Sequence, residues 1–257
     1  GSSSVAFKLR AFSLPSSSPS HPNMLSVLRA ASVLAAARAW LVAAGAGVPL
    51  FNNTRCPAFW EFQAAHVATD FKLEDLGGFY YELAFHDVTQ FPFCVTPPRC
   101  ITSSKQIQRH SDGVAFVNDT WDLGCFGHQY PQDLLFNVTS HPGYFLGYLP
   151  EFYVPGIPKD AVKNIVFPDT LVDFKAGPEG WALEIQCVEW NNHVVFIGIN
   201  YYSKTKTEAA FQEIDAAARA RGLGFWMDHG FGLKKVDHSN CPNEPHAAAA
   251  LSENLIV

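Results

Sequence analysis

Glu82 is the residue whose setting most invites chemistry. It lies in Gly78-Phe79-Tyr80-Tyr81-Glu82-Leu83-Ala84-Phe85-His86, a run of strong strand formers. Side chains alternate along a strand, so Tyr80, Glu82, Ala84 and His86 are expected on one face. Phe79, Tyr81, Leu83 and Phe85 take the other. If Tyr80 points into a core, Glu82 does too. A carboxylate in apolar surroundings is costly unless it is paired or protonated. Two roles stay open: hydrogen bonding to neighbours at the floor of a β structure, or anchoring a ligand head group with His86 above it. Gly78 suits a tight backbone entry to this strand, where a side chain would collide with a neighbour.

Other reactive side chains form no recognisable constellation. The chain has ten histidines, and His86, His110, His128 and His193 lack metal-ligand spacing. His238 sits in a turn, and Asp228-His229 reads as a solvated loop. No Gly-x-Ser-x-Gly elbow or phosphate loop occurs. Gly222-Leu223-Gly224 is too short for a dinucleotide fingerprint and follows a helix. No metal and no cofactor are expected. The six cysteines are Cys56, Cys94, Cys100, Cys125, Cys187 and Cys241. None forms a C-x-x-C, which argues against zinc and redox chemistry. Their even number points to disulfides in an oxidising compartment. Sequons at Asn52, Asn118 and Asn137 fit secretion and glycosylation.

The elements that must position these residues come next. The chain has 257 residues and a net charge of −6, with a pI of about 5.9. That balance argues against a nucleic-acid partner. Residues 1–23 are rich in Ser and Pro and read as disordered. From Met24 an Ala/Val/Leu-rich stretch runs to Leu50, interrupted by Arg29 and Arg38. With Ala44-Gly45-Ala46 as a cleavage site, it resembles a secretory signal peptide. A membrane anchor and a bipartite organelle leader are the alternatives. Residues 47–70 read as an irregular arm, and residues 243–257 as a disordered tail.

Between them, β-rich runs follow the Gly78 strand: 101–108, 114–123, 134–139, 144–149, 165–174, 181–190 and 193–202. Turn signals separate them, such as Ser111-Asp112-Gly113 and Pro142-Gly143. Eight strands without an intervening helix predict an antiparallel meander that closes into an up-and-down barrel. A helix is expected over 206–221 from Phe211, Ile214 and Ala218, with Gly222 as its C-terminal cap. A short ninth strand is expected within 231–236. The fold class is therefore all-β, an eight-stranded barrel with one C-terminal helix.

This order resembles the lipocalin family over about residues 56–242. Gly78-Phe79-Tyr80-Tyr81-Glu82 is similar to the first lipocalin motif, with Tyr80 replacing Trp. Val172-Asp173-Phe174 resembles the second motif, and Lys204 stands where the third has Arg. Cys56-Pro57, Ala182-Leu183 before Cys187, and Val236-Asp237-His238-Ser239-Asn240-Cys241-Pro242 resemble the apolipoprotein D and bacterial outer-membrane lipocalin branch. The resemblance implies bridges Cys56–Cys187 and Cys100–Cys241, which leaves Cys94–Cys125 as a third. It implies a closed barrel end built on Gly78, Tyr80, Asp173 and Lys204, with a cation–π contact between Tyr80 and Lys204.

The function this implies is carriage or sequestration of a small hydrophobic molecule: a fatty acid, lysolipid, sterol, retinoid or carotenoid. Expected lining residues are Tyr80, Glu82, His86, Phe91, Phe93, Phe116, Trp121, Leu146 and Tyr148, with Phe152 and Tyr153 near the mouth. The protein is expected to be secreted or lumenal, with a membrane or membrane complex as a further partner option and the oligomeric state open. Two rival functions are a carotenoid-modifying enzyme similar to violaxanthin de-epoxidase and a structural lumenal subunit. An enzyme would carry paired acids deep in the cavity with raised proton affinity.

Overall fold

The computed structural model describes residues 55–87, 90, 99–110, 114–125, 128–148, 166–190 and 193–241. The leader and the C-terminal tail lie outside these residues. Eight antiparallel strands form a closed ring: β1 Gly78–His86, β2 Thr102–Arg109, β3 Ala115–Cys125, β4 His128–Val138, β5 Tyr144–Tyr148, β6 Val166–Lys175, β7 Trp181–Trp190 and β8 His193–Ser203. Each strand pairs with the next, and β1 closes the ring between β8 and β2. β4 begins six residues before the expected 134, through Pro131. Proline is tolerated there because β5 pairs only with Leu135–Val138, so at Pro131 one edge of β4 needs no donor.

Three register shifts bend the ring, one of them between Val188 and Glu189 in the β7–β8 ladder. The first falls between Glu82 and Ala84 in the β1–β8 ladder. It reverses the alternation expected of β1. Glu82 pairs with inward-facing Tyr202, and Phe85 pairs with Asn200, whose amide reaches Glu82 inside the barrel. Ala84 and His86 turn outward. β1 pairs with β2 only over Gly78–Tyr81. The ninth strand, β9 Lys234–Lys235, then takes the vacated edge at Ala84 and Phe85, outside the ring. Val236 N–H donates to Leu83 O at 3.0 Å, and His238 Nε2 donates to Glu82 O at 2.9 Å. The C-terminal segment thus satisfies the carbonyls that the bulge frees.

The second bulge lies between Leu171 and Asp173 in the β6–β7 ladder. The arm covers it, and is not irregular: it holds three short helices, α1 Phe59–Phe62, α2 Ala65–Asp70 and α3 Leu73–Leu76. Ala64 N–H donates to Val172 O at 2.7 Å, and Gln63 Nε2 donates to Leu171 O at 3.1 Å. Cys56–Cys187 ties the arm to β7, and Cys100–Cys241 ties the C-terminal segment to the start of β2. Both bridges join the pairs expected from the resemblance. They close loops of 131 and 141 residues. In the chain-entropy picture each contributes about 4–5 kcal/mol. The expected Cys94–Cys125 bridge lies outside the described residues.

Outside the barrel, α4 Glu208–Ala220 packs on β7 and β8. Thr207 caps its N-terminus by accepting from Ala210 N–H. Its buried stripe is Ala210, Ile214 and Ala218, set against Leu183, Ile185, Ile199 and Tyr201. Burying Ile214 fully stabilises the contact by about 1.5–3 kcal/mol. Gly222, with φ +80°, ends the helix, while Leu223 N–H reaches Ala218 O and Gly222 N–H reaches Arg219 O. This is a Schellman arrangement that only a residue comfortable at positive φ completes. A further short helix, α5 Gly224–Asp228, was not legible in the sequence.

Gly78 has φ +127°, but a Cβ there would meet only the Lys204 Cε at 3.8 Å. Backbone conformation, rather than the expected crowding, requires glycine at the strand entry. Gly77 beside it has φ −65°. Gly78→Ala is expected to lower stability by about 1–3 kcal/mol, whereas Gly77→Ala stays neutral or gains up to about 1 kcal/mol. Urea denaturation of the two variants checks the contrast.

Candidate functional site: a polar band inside the barrel

One end of the barrel is covered by α3. Leu76 is buried, Phe71 and Leu73 pack on the interior core, and Tyr80 OH donates to Asp75 O at 3.1 Å. Lys204 Nζ lies 5.5 Å from the Tyr80 ring centroid, so the expected cation–π pair is present at this end. Asp173 does not join it. Its carboxylate meets His66 of α2 at 3.1 Å and Arg221, just past α4, at 3.9 Å, linking the arm to the helix.

Inside the ring the wall is strongly polar. Ser103, Lys105, Asp119, Glu184, Asn200 and Glu82 are each no more than 3 % exposed. Lys105 Nζ donates to Asp119 Oδ2 at 2.8 Å and to Glu184 Oε2 at 3.1 Å, and stands 4.6 Å from the Tyr202 ring centroid. Ser103 Oγ donates to the second oxygen of Asp119 at 2.7 Å. Glu82 accepts from Trp121 Nε1 at 3.1 Å, Asn200 Nδ2 at 2.6 Å and Gln90 Nε2 at 3.0 Å. Asp169 lies on β6, one strand from Glu184, which pairs across β7–β8 with Asn200.

Charge balance governs this band. Lys105 is the one buried Lys or Arg among the described residues, against the buried carboxyls of Glu82, Asp87, Asp119, Asp169 and Glu184. Burial pushes Glu82 up to about 8 despite its three donors. Burial, reinforced by the neighbouring carboxylates, also raises Asp169 and Glu184. Flanking carboxylates hold Lys105 charged, well above the ordinary lysine range, against the opposing effect of burial. Asp169 and Glu184 are thus two buried acids of raised proton affinity on adjacent strands.

Apolar side chains share the interior with this band. They include Leu123, Leu134, Phe136, Phe145, Phe167 and Phe85. Phe136 and Phe167 meet edge to face at 5.8 Å. They can do so because Gly147 has no Cβ, which would stand 2.4 Å from the Phe167 ring.

Of the expected lining residues, Tyr80, Glu82 and Trp121 face the interior. His86 does not, because the β1 bulge turns it outward onto Trp226 and Phe231, where Nδ1 donates to Gly232 O at 3.1 Å. Burial there lowers its affinity for a proton. Phe116 alternates with inward-facing Ala115 and Val117, and Leu146 and Tyr148 alternate with inward-facing Phe145 and Gly147. All three lie on the outer wall by strand parity. Phe91, Phe93, Phe152 and Tyr153 lie outside the described residues. The sequence reading missed Lys105, Asp119, Asp169, Glu184 and Asn200. For Lys105 a signal was available in the alternation Ile101, Ser103, Lys105, Ile107, which places a lysine on an apolar face.

No protein-family model matches the chain, and no curated protein matches it. Among solved structures it is similar to apocrustacyanin C2, at 10 % identity over 74 % of this chain and 92 % of that one, with a TM-score of 0.49. It is also similar to apocrustacyanin C1, at 10 % identity, 68 % and 86 % coverage and a TM-score of 0.45. Lobster apocrustacyanin A1 shows 10 % identity, 66 % and 82 % coverage and a TM-score of 0.43. The topology described above rests on this chain's own strand ladders. Among the described residues no helix is long and apolar enough to cross a membrane, and no His, Cys, Asp and Glu group has the geometry to hold a metal ion.

Two expectations follow. Glu82 binds its proton more tightly folded than unfolded, so its contribution to stability is complete at low pH. It is lost as pH rises from the ordinary carboxyl value of 4.5 towards about 8. The loss across that window is roughly 4–5 kcal/mol. Urea midpoints at pH 5 and pH 8 should show it, and Glu82→Gln should flatten the slope. Separately, Lys105→Met leaves buried carboxylates uncompensated and should cost about 3–5 kcal/mol at neutral pH. The deficit should shrink on acidification, measured by the same denaturation.

Proposed function

We propose that this protein is a lipocalin-type carrier that holds a small, amphipathic, mainly hydrophobic molecule inside the barrel. The observation that carries the reading is the make-up of the interior. A barrel covered at one end by α3 combines a polar band around Lys105 and Glu82 with apolar walls from Leu123, Leu134, Phe136 and Phe167. A few placed polar groups among apolar walls is the composition of a small-molecule site. Binding would draw on burial of the ligand's apolar surface, at about 25 cal/mol per Å², with the band fixing one end. Fatty acids, lysolipids, sterols, retinoids and carotenoids are the candidate ligands.

The Cys56–Cys187 and Cys100–Cys241 bridges support membership of the apolipoprotein D and bacterial outer-membrane lipocalin branch. They also support an oxidising, secreted or lumenal location. Asn118 and Asn137 lie on the outer faces of β3 and β4, open to glycosylation by strand parity.

The buried acids Asp169 and Glu184, both raised in proton affinity, favour a second reading, a carotenoid-modifying enzyme resembling violaxanthin de-epoxidase. Native mass spectrometry of the protein purified from its own source, followed by lipid extraction, tests both. The carrier reading expects a stoichiometric apolar adduct, and an added carotenoid recovered at unchanged mass. Conversion of the carotenoid would favour the enzyme. A protein that arrives empty and ignores fatty acids, retinoids and carotenoids would remove the carrier reading.

A further inference from the structure

The polar band is lopsided in the kind of group it leaves unpaired. Asp169 Oδ1 and Glu184 Oε1 are fully buried carboxyl oxygens without a hydrogen-bond partner, and Gln90 Oε1 and Asn200 Oδ1 are buried amide oxygens in the same condition. Unsatisfied buried acceptors are costly. Glu184 pairs with Asn200 across β7–β8, Asp169 on β6 lies diagonal to Glu184, opposite Gln186, and Asn200 and Gln90 share Glu82 Oε1. The one buried cation cannot serve an incoming anion, because Lys105 is already engaged by Asp119 and Glu184 and faces the Tyr202 ring. A carboxylate entering the barrel would therefore meet an excess of acids and no unclaimed positive charge.

From these contacts we infer that the barrel selects a neutral, hydroxyl-bearing apolar ligand, whose O–H donates into the Asp169–Glu184–Asn200 band, and rejects the corresponding carboxylic acid. The inference rests on the carrier reading and narrows it: fatty acids and other apolar acids leave the list, while alcohols, sterols and hydroxylated polyenes remain. A site built to pair a hydroxyl discriminates strongly because its own polar atoms go unpaired with the wrong ligand.

Retinol and retinoic acid form a suitable probe pair, since they share one polyene and differ at the head group. Each is titrated into the full protein at pH 7 and followed by quenching of tryptophan fluorescence. Trp121, bonded to Glu82 within the band, is one of the reporters. Retinol is expected to bind at least about tenfold more tightly than retinoic acid. A second pair, 1-dodecanol and dodecanoate, displacing bound retinol, should show the same order. Asp169→Asn removes one acid from the band and should narrow the ratio by strengthening the acid arm. Equal binding, tighter binding of the acids, or a ratio untouched by Asp169→Asn would overturn the head-group assignment while leaving a carrier in place. Failure of all four probes to bind would count against the carrier reading itself.

Discussion

The ion pair that Lys105 makes with Asp119 and Glu184 fixes the character of the barrel interior. A lysine at that depth stays charged only because two carboxylates face it. Those carboxylates in turn add to the effect of burial in raising the proton affinity of Asp169. One cation on β2 therefore opposes the effect of burial on acids of β6 and β7. It also joins strands that are distant in sequence, since Lys105 and Glu184 lie on opposite sides of the β1–β8 seam. An interior of this kind differs from a uniformly greasy cup. Its polar part has a sign, and that sign has to be matched by whatever occupies the space beside it.

The barrel wall shows a second dependence. At two of the ring's three bulges, main-chain carbonyls lie beyond the reach of any strand neighbour. Both are met by chain outside the ring: Val172 O by Ala64 in the arm, Leu83 O by Val236 in the C-terminal segment. A disulfide then holds each segment near its post, Cys56–Cys187 for the arm and Cys100–Cys241 for the C-terminal segment. The arm and the C-terminal strap are thus structural members of the barrel rather than appendages. The bulge on β1 also explains why β9 exists, since it supplies hydrogen bonds where β1 has parted from β2.

Much of this architecture was legible in the sequence. The order of eight strands, the helix, its Gly222 cap and the short ninth strand could all be placed from alternation, periodicity and turn residues. Two disulfide pairings followed from the lipocalin-like frame. What escaped was set by tertiary context. Simple alternation put His86 beside Glu82, but a one-residue bulge separates them, and nothing in Glu82-Leu83-Ala84 announces it. Phe116, Leu146 and Tyr148 stand out as aromatic or large, but parity with Val117 and Phe145 sends them outward. Pro131 hid the first half of β4 because tolerance of proline depends on which edge lacks a partner. The polar band was the largest omission. Asp119, Asp169 and Glu184 each look like ordinary surface acids along their own strands, and only closure of the ring brings them to Lys105.

The two bridges carry a further consequence for how the chain reaches this state. Their cysteines are separated by 131 and 141 residues, so neither thiol can find its partner through local structure. Cys187 is presented by β7, late in the meander, and Cys241 comes after every strand of the ring. Oxidation in the native pairing must therefore wait for distant segments to meet, and long-range strand pairing is slow for the same reason. The barrel has to assemble as a reduced or partly oxidised intermediate. The native bonds then act as a latch on a closed ring rather than as a template for closing it, and a chain oxidised too early would be trapped with the wrong partners until exchange released it.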